Sequence, residues 1–330
     1  MIISQTPYRV SFAGGGTDLP SFYQKEMGAV LSVGLSQHMY VTVSPRFKAS
    51  TRIAYTKTEI ADTIDQIEHT IAREALRMTD LGKHLEITTI GDVPSGTGLG
   101  SSSSLAVGLI NALNAYKGQI SSPQQLAEKA CAIEIDILKK PIGKQDQYAA
   151  AFGSLNYIRF NSDDSVDVEP VPYKPETLRE LESRTLLLYT AQQRSADDIL
   201  IKQSAGTQRQ DTFAVLKEMR DLAEEMKNVI SGSGNIDDFA GLLHQGWLLK
   251  KSLGFGISNQ HIDDWYSAAL NAGAQGGKLL GAGGGGFLML VAPPEKHQAI
   301  RDALGNPREI PFEVDRRGSR IIFISDRYKI

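Results

Sequence analysis

The chain has 330 residues, 41% of them hydrophobic and 22% charged, with a formal net charge of −3 at pH 7. That composition excludes long disorder, and the charge gives no basic face for nucleic acid. Any phosphate chemistry must therefore rest on glycine-rich loops and single cations. Cys131, the only cysteine, excludes an internal disulfide or a cysteine-built zinc site and reads as a buried small hydrophobe on a helix.

In chain order, Met1–Pro7 has no basic region followed by an apolar run, so no secretory leader is predicted. No apolar run approaches the ~20 residues of a membrane span. The expectation is a cytoplasmic chain without a membrane partner. Tyr8–Ala13, Ala29–Leu35 and His38–Ser44 read as strands. Ile64–Met78 reads as a helix with Ile64, Ile67, Ile71, Ala75 and Met78 on one stripe. A strand over Leu85–Ile90, a loop to Gly100 and a helix over Ser101–Tyr116 follow. Pro123–Leu138 reads as a second helix, stopping before Pro141.

Asn161–Arg184 is charged, weakly periodic and contains prolines, so it reads as a crossing between two lobes, 1–165 and 166–330. Beyond it come a strand (Thr185–Thr190), a helical block (Ser195–Ala272), a glycine-rich loop (Gly276–Phe287), a strand (Leu288–Ala292), a short helix and two terminal strands. This order predicts an α+β fold and not a doubly wound parallel sheet.

The strongest motif is Pro94-Ser95-Gly96-Thr97-Gly98-Leu99-Gly100-Ser101-Ser102-Ser103-Ser104, set between a strand and a helix. Glycines at 96, 98 and 100 let backbone N–H groups approach a ligand, and the helix start adds unpaired N–H groups and a positive dipole end. The result is an anion cradle sized for a di- or triphosphate. A serine-capped turn is the plainer alternative. A P-loop is excluded, because no Gly-Lys pair is followed by serine or threonine.

Gly281-Ala282-Gly283-Gly284-Gly285-Gly286 matches Gly-x-Gly-x-x-Gly in form, but a strand follows where a dinucleotide site needs a helix. It reads as a loop allowing close backbone approach to a ligand. Pro7–Asp18 places Arg9 at a strand start and Thr17-Asp18 after three glycines; locally this could equally be a capped hairpin turn. Asp146, in Pro141–Tyr148, could likewise be a helix cap. Phosphoryl transfer needs a nucleophile orienter, metal ligands and positive charge, which Asp146, Glu134, a loop serine and Arg9 could supply. Spacing alone does not bring them together.

Together these segments resemble the GHMP kinases, the superfamily of galactokinase, homoserine kinase and mevalonate kinase. Pro7–Asp18, Pro94–Ser104 and Lys278–Phe287 look like its three motifs, in its order, and the resemblance covers nearly the whole chain. It implies a two-lobed fold, an N-terminal lobe resembling the second domain of ribosomal protein S5 and a ferredoxin-like C-terminal lobe. It also implies ATP and Mg2+ as cofactors. Gly96, Gly98, Leu99, Gly100, Ser101, Ser102 and Ser103 would wrap the ATP phosphates. Ser102 and Glu134 would hold the metal. Asp146 would take the proton from the substrate hydroxyl, with Arg9 beside it stabilising charge in transfer.

The glutamate and histidine that galactokinases carry in motif one are replaced by Gly15 and Gly16. Ala13–Pro20, Lys140–Tyr148, and Tyr189-Thr190 followed by Arg194-Ser195-Ala196 look like bacterial heptose kinases, which phosphorylate the anomeric hydroxyl of D-glycero-D-manno-heptose 7-phosphate on the way to GDP-heptose. Fucokinase-like enzymes share a related first motif. The partner implied is a small sugar or sugar phosphate. It would be held by Gly16, Thr17, Asp18, Gly283 and Gly284, with Arg194, and secondarily Lys202, on the substrate's own phosphate. A ligand-sensing GHMP fold without turnover is the reading from another class, but Ser102, Glu134, Asp146 and Arg9 are all kept.

Overall fold

The computed structural model describes residues 1–191, 196–207, 209–232, 234–254 and 256–325. The N-terminal half opens with two long strands, β1 (Ile2–Ala13) and β2 (Gly28–Pro45), linked through the short helix α1 (Pro20–Tyr23). The small strands β3 (Thr51–Ala54) and β4 (Thr58–Ala61), helix α2 (Thr70–Met78) and strand β5 (Leu85–Gly91) follow. Helices α3 (Ser101–Tyr116), α4 (Pro123–Cys131) and α5 (Gln145–Phe152) then lead into the hairpin of β6 (Leu155–Phe160) and β7 (Val166–Pro170).

The C-terminal half has helix α6 (Pro175–Arg184), strand β8 (Thr185–Tyr189) and four helices: α7 (Ala196–Gly206), α8 (Gln210–Ser231), α9 (Ile236–Ser252) and α10 (Gln260–Asn271). Strands β9 (Gly276–Leu279) and β10 (Phe287–Val291), helix α11 (His297–Ala303) and strands β11 (Glu309–Ile310) and β12 (Arg320–Ile324) complete it. An eight-stranded sheet runs β12-β1-β2-β5-β3-β4, with β6 also on β2 and β7 on β6; a four-stranded sheet runs β11-β8-β10-β9. The expected α+β class is borne out. Among the described residues no helix is long and apolar enough to cross a membrane.

The alternation of β1 and β2 gives the large sheet two apolar faces. Ile2, Val30, Val41 and Val43 pack with Leu109, Ile110 and Leu113 of α3 and with α2, α4 and α5. Tyr8, Val10, Phe12 and Leu31 pack in a second core with Leu222 and Met226 of α8, Phe239 and Leu243 of α9, and Phe287 and Met289 of the small sheet. That second core locks the two halves together. A third, around Trp247, Tyr266, Leu188 and Leu290, lies on the other face of the small sheet. Helix α3 is buried nearly all round from Ser103 to Asn114, which fixes the loop that enters it.

Several boundaries differ from the sequence reading. The two strands expected at 29–35 and 38–44 are one, β2, whose pairing with β1 slips between Pro7 and Arg9. A bulge keeps the ladder continuous while bending it. The helix expected over 64–78 breaks into a 3-10 turn at Ile64–Gln66, closed by a capping box from Thr63, and α2, capped by His69, whose ring accepts from Ala72 N–H. Both Ile67 and Ile71 remain buried, so the stripe is real although the helix is interrupted. Helix 123–138 passes into a π-helix at Ala132–Ile137.

The stretch 161–184 is no bare crossing: it contains β7, paired with β6, and α6. The expected 165/166 division thus falls inside a hairpin of the large sheet, and β12 returns from the far end of the chain to pair with β1. The first part of the third glycine loop is strand β9, which completes a sheet edge. Strands β3 and β4 have no counterpart in the sequence reading.

Candidate active site

Residues from both halves of the chain meet around a cleft of about 280 Å³. Arg9 and Ser11 of β1, Gly15, Gly16 and Asp18 line it, as do Gly96, Gly98, Gly100 and Ser101–Ser103 from the start of α3. Lys140, Gly143, Gln145 and Asp146 line it too, as do Gln203, Lys250, Lys278, Gly281 and Ala282.

Gly100, with φ 75°, is the N-cap of α3, so Ser101–Ser103 occupy the first turn, where amides lack intrahelical acceptors. Ser104 takes no part: its hydroxyl donates to Pro7 O at 2.8 Å and pins α3 to β1. At Gly98 (φ 83°) a β-carbon would lie 2.5 Å from Leu280 O, so the second and third glycine loops pack backbone on backbone. Only glycine permits that approach.

Arg9 forks onto Asp146: Nε donates to Oδ1 and Nη2 to Oδ2, both at 2.6 Å, while Nη1 donates to Gly98 O at 2.6 Å. The geometry is the bidentate pairing that orients a carboxylate most firmly. Asp146 stands in the first turn of α5 and its side chain stays 23% exposed, open to the cleft. Asp18 is held from behind. Its Oδ1 accepts from Gly16 N–H at 2.9 Å and its Oδ2 from Gln145 N–H at 3.3 Å. Burial raises its pKa, with a further push from Asp146. A β-carbon at Gly143 would fall 2.0 Å from Asp18 Oδ2, so this glycine makes room for the acid.

Glu134, on the π-helical turn, is fully buried behind the serines. Ser102 Oγ and Lys140 Nζ (3.0 Å) donate to its Oε1, and Ser103 Oγ and Gln147 Nε2, each at 2.8 Å, to its Oε2. Lys140 Nζ also donates to Ser102 Oγ at 2.7 Å. A cation therefore already rests between one hydroxyl and one carboxylate at the edge of the cleft, the donor pair that a hard divalent metal would share with phosphate oxygens and water.

Arg9, Gly16, Asp18, Gly96, Gly98, Gly100, Ser101, Ser102, Ser103 and Asp146 line one cleft, with Glu134 directly behind. Other expected site residues do not face it. Leu99 is a core residue whose carbonyl accepts from Arg9 N–H. Thr17 is fully buried; its hydroxyl donates toward Gly14 O and Ala29 O and accepts from Ala29 N–H, so it pins the turn that aims Asp18. Gly283 packs on Ile257 and Gly284 donates to Ile257 O, leaving Gly281 and Ala282 on the cleft. Arg194 lies outside the described residues, and Lys202 is exposed.

Sequence reasoning missed Lys140, Lys250, Lys278, Gln145, Gln203 and Ser11. Lys278 donates to Ser11 O (2.7 Å) and Phe12 O (2.9 Å), tying β9 to β1. Ser11 Oγ, Gln145 Oε1 and Gln203 Nε2 are buried without a protein partner among the described residues and sit where the cleft could offer them hydroxyls. Lys140 and Gln145 stand in the run already singled out around Asp146. Nothing in the helical pattern separates Gln203 or Lys250 from ordinary neighbours.

Residues 54–154 match the GHMP kinases N terminal domain and residues 219–308 the GHMP kinases C terminal domain. The chain is 31% identical to the D-glycero-alpha-D-manno-heptose 7-phosphate kinase of Campylobacter jejuni over 94% of its own length and 96% of that protein's. It is 24% identical to the bifunctional fucokinase/GDP-fucose pyrophosphorylase of Arabidopsis thaliana over 94% of the chain, but spans only 32% of that protein. Among solved structures, a D-glycero-D-manno-heptose 1-phosphate kinase from Bacteroides thetaiotaomicron superposes with a TM-score of 0.82 at 27% identity, covering 99% of this chain and all of that one. The Lactococcus lactis galactokinase complexed with galactose, at 17% identity and a TM-score of 0.78 over 97% and 94% of the two chains, shares the fold. The chain belongs to the GHMP kinases, a family that uses ATP as phosphate donor, and is a phosphotransferase acting on a sugar hydroxyl.

Proposed function

We propose that this kinase transfers the terminal phosphoryl group of ATP to the anomeric hydroxyl of D-glycero-D-manno-heptose 7-phosphate, giving the 1,7-bisphosphate that leads to GDP-heptose in the cytoplasm. The observation that carries this reading is the end-to-end similarity to the Campylobacter jejuni heptose 7-phosphate kinase. The Arg9-held Asp146, set between the serine-glycine loop and Asp18, supports it. The names of the two heptose-kinase relatives agree on the sugar and differ over the phosphate position, which the experiment below resolves.

In this reading the anomeric hydroxyl gives its proton to Asp146 and its oxygen forms a bond to the γ-phosphorus. The bond to the β–γ bridging oxygen breaks, and its electron pair leaves with ADP. Arg9 orients Asp146. The first-turn amides and hydroxyls of Ser101–Ser103 hold the phosphates. Asp18 accepts sugar hydroxyls on its remaining lone pairs, and Gln145, Gln203 and Ser11 meet others. Ser102 and Glu134 would hold Mg2+, as the Lys140 ammonium between them supports. Bound there, the metal neutralises phosphate charge.

The test is ADP release with D-glycero-D-manno-heptose 7-phosphate beside fucose, galactose, mannose and mevalonate, followed by phosphorus NMR of each product. Turnover of the heptose phosphate with a new anomeric phosphate is the expected result. Turnover of an unphosphorylated sugar instead would leave the kinase and remove the heptose phosphate.

A further inference from the structure

Two lysines are buried in the wall of the cleft, and their ammonium donors are satisfied to different extents. Lys278 spends its ammonium on two backbone carbonyls. Lys250, on α9, is 7% exposed and donates to a single acceptor, Gly281 O, at 2.5 Å. An ammonium has three donors. Among the described residues no carboxylate lies within ion-pair distance of Lys250, although it lines the same cleft as Arg9, Asp18 and Asp146. A buried cation with one neutral partner is costly; Asp18 and Asp146 offset part of that cost from beyond ion-pair distance, and an anion arriving with a ligand would offset more.

Which anion follows from what Lys250 hangs on. Its acceptor, Gly281, touches the phosphate loop: a β-carbon there would fall 2.5 Å from Gly98 Cα. The carbonyl of Gly98 in turn receives Arg9 Nη1. Arg9 and Lys250 are thus suspended from two touching backbones, one from each glycine loop, beside the carboxylate of Asp146. That is the end of the cleft where the phosphate loop meets the acceptor.

We propose that Lys250 is a catalytic residue of the transfer, its ammonium binding the phosphoryl group as it passes from ATP to the sugar oxygen. The step is the one above: a bond forms from the sugar oxygen to the γ-phosphorus, the bond to the bridging oxygen breaks, and the proton goes to Asp146. Lys250 exchanges no proton and compensates the charge on the equatorial oxygens. This deepens the kinase reading, and it rests on Asp146 marking the acceptor end. The state of Lys250 supports it: burial and Arg9 on β1 lower its pKa to about 8 against the pull of Asp18 and Asp146, with Lys278 on β9 as its cationic neighbour.

The test compares Lys250→Met and Lys250→Arg with the unaltered protein. Lys250→Met should lose about 10²–10³-fold in kcat, the usual effect of removing one preorganised charge-stabilising donor, with KM for sugar and for ATP nearly unchanged. Its ADP affinity should be retained while the tightening of ADP by tetrafluoroaluminate is lost. That measurement contains no sugar, so it stands even if the heptose assignment fails. The melting temperature of the ligand-free protein should rise, because an uncompensated buried charge has been removed. A lysine that merely supported the fold would do the opposite.

If Lys250→Met does not fold, the pH profile carries the test. The kcat/KM of the unaltered protein should fall above about pH 8, and Lys250→Arg, charged throughout, should move that limb beyond the measurable range. Turnover within threefold of the unaltered protein, with the tetrafluoroaluminate effect intact, overturns the proposal. So does a loss confined to KM for a phosphorylated sugar, which would give Lys250 to the substrate's own phosphate.

Discussion

Asp146 and Glu134 are both acids of the cleft, each carries a cation, and the two pairs are built for different behaviour. Asp146 is gripped by a planar guanidinium at two points, and that guanidinium is itself anchored to Gly98 O. Arginine keeps its charge and its fork geometry, so this pair orients one carboxylate permanently toward the cleft. Glu134 is fully buried, and its cation is Lys140, a flexible side chain 26% exposed and shared with Ser102. Such an ammonium is a point charge that a divalent ion can replace without disturbing the carboxylate, which Ser103 and Gln147 still hold. The first pair is suited to positioning a base, the second to exchanging one cation for another.

The comparison can be broken most directly at Asp146. Asp146→Asn should keep nucleotide binding and lose about 10³-fold in kcat; turnover near that of the unaltered enzyme would remove the base assignment. Glu134→Gln tests the exchangeable pair, and should raise the Mg2+ concentration for half-maximal rate by about 10–100-fold. A fall in kcat at saturating metal with no change in metal requirement would contradict it. Lys140→Met removes the resident cation. Mn2+ binding to the nucleotide-free protein, followed by paramagnetic resonance, should tighten about fivefold, the ~1 kcal/mol of a partly exposed ion pair. Weaker Mn2+ binding would mean that Lys140 helps to hold the metal.

The smallest effect on turnover is expected at a third paired acid, outside the cleft. Asp315 is buried between His38 Nε2 (2.5 Å) and Arg320 Nη1 (2.8 Å) and accepts from Arg317 N–H at 2.7 Å, tying the approach to β12 onto the large sheet. Asp315→Asn should cost about 3 kcal/mol of stability and leave kcat unchanged below the melting transition. The partners lower its folded-state pKa. Its stabilisation is therefore complete above the unfolded carboxylate value of about 4 and is lost as pH falls below it. Thermal melts between pH 7 and 3 should show a steeper acid loss in the unaltered protein than in Asp315→Asn.

The α+β class and the family were readable from the amino-acid sequence, because the glycine and serine motifs and the periodicity of the elements rest on local chemistry; the loop proposed for phosphate and the acids stood there as candidates. Alternating glycines, a run of serines and the apolar residues of α3 act on the backbone within about twenty positions. Arg9 and Asp146 were candidates within their motifs and Glu134 through the family resemblance, though their meeting was not legible. Only the packing of the elements selects which of the expected residues line the cleft. Thr17 and Leu99 lie inside correct motifs, yet their side chains turn into the fold because the bend at Gly14–Asp18 needs a hydroxyl pin and the strand–helix junction needs an apolar plug. Gly283 and Gly284 serve the contact with Ile257. Lys250 and Gln203 carry no local signature, since a polar side chain on a helix reads as solvated until packing buries it; Lys278, at the start of the third glycine motif, is buried by the packing of β9 against β1. Burial is a property of distant segments brought together, and no local pattern encodes it.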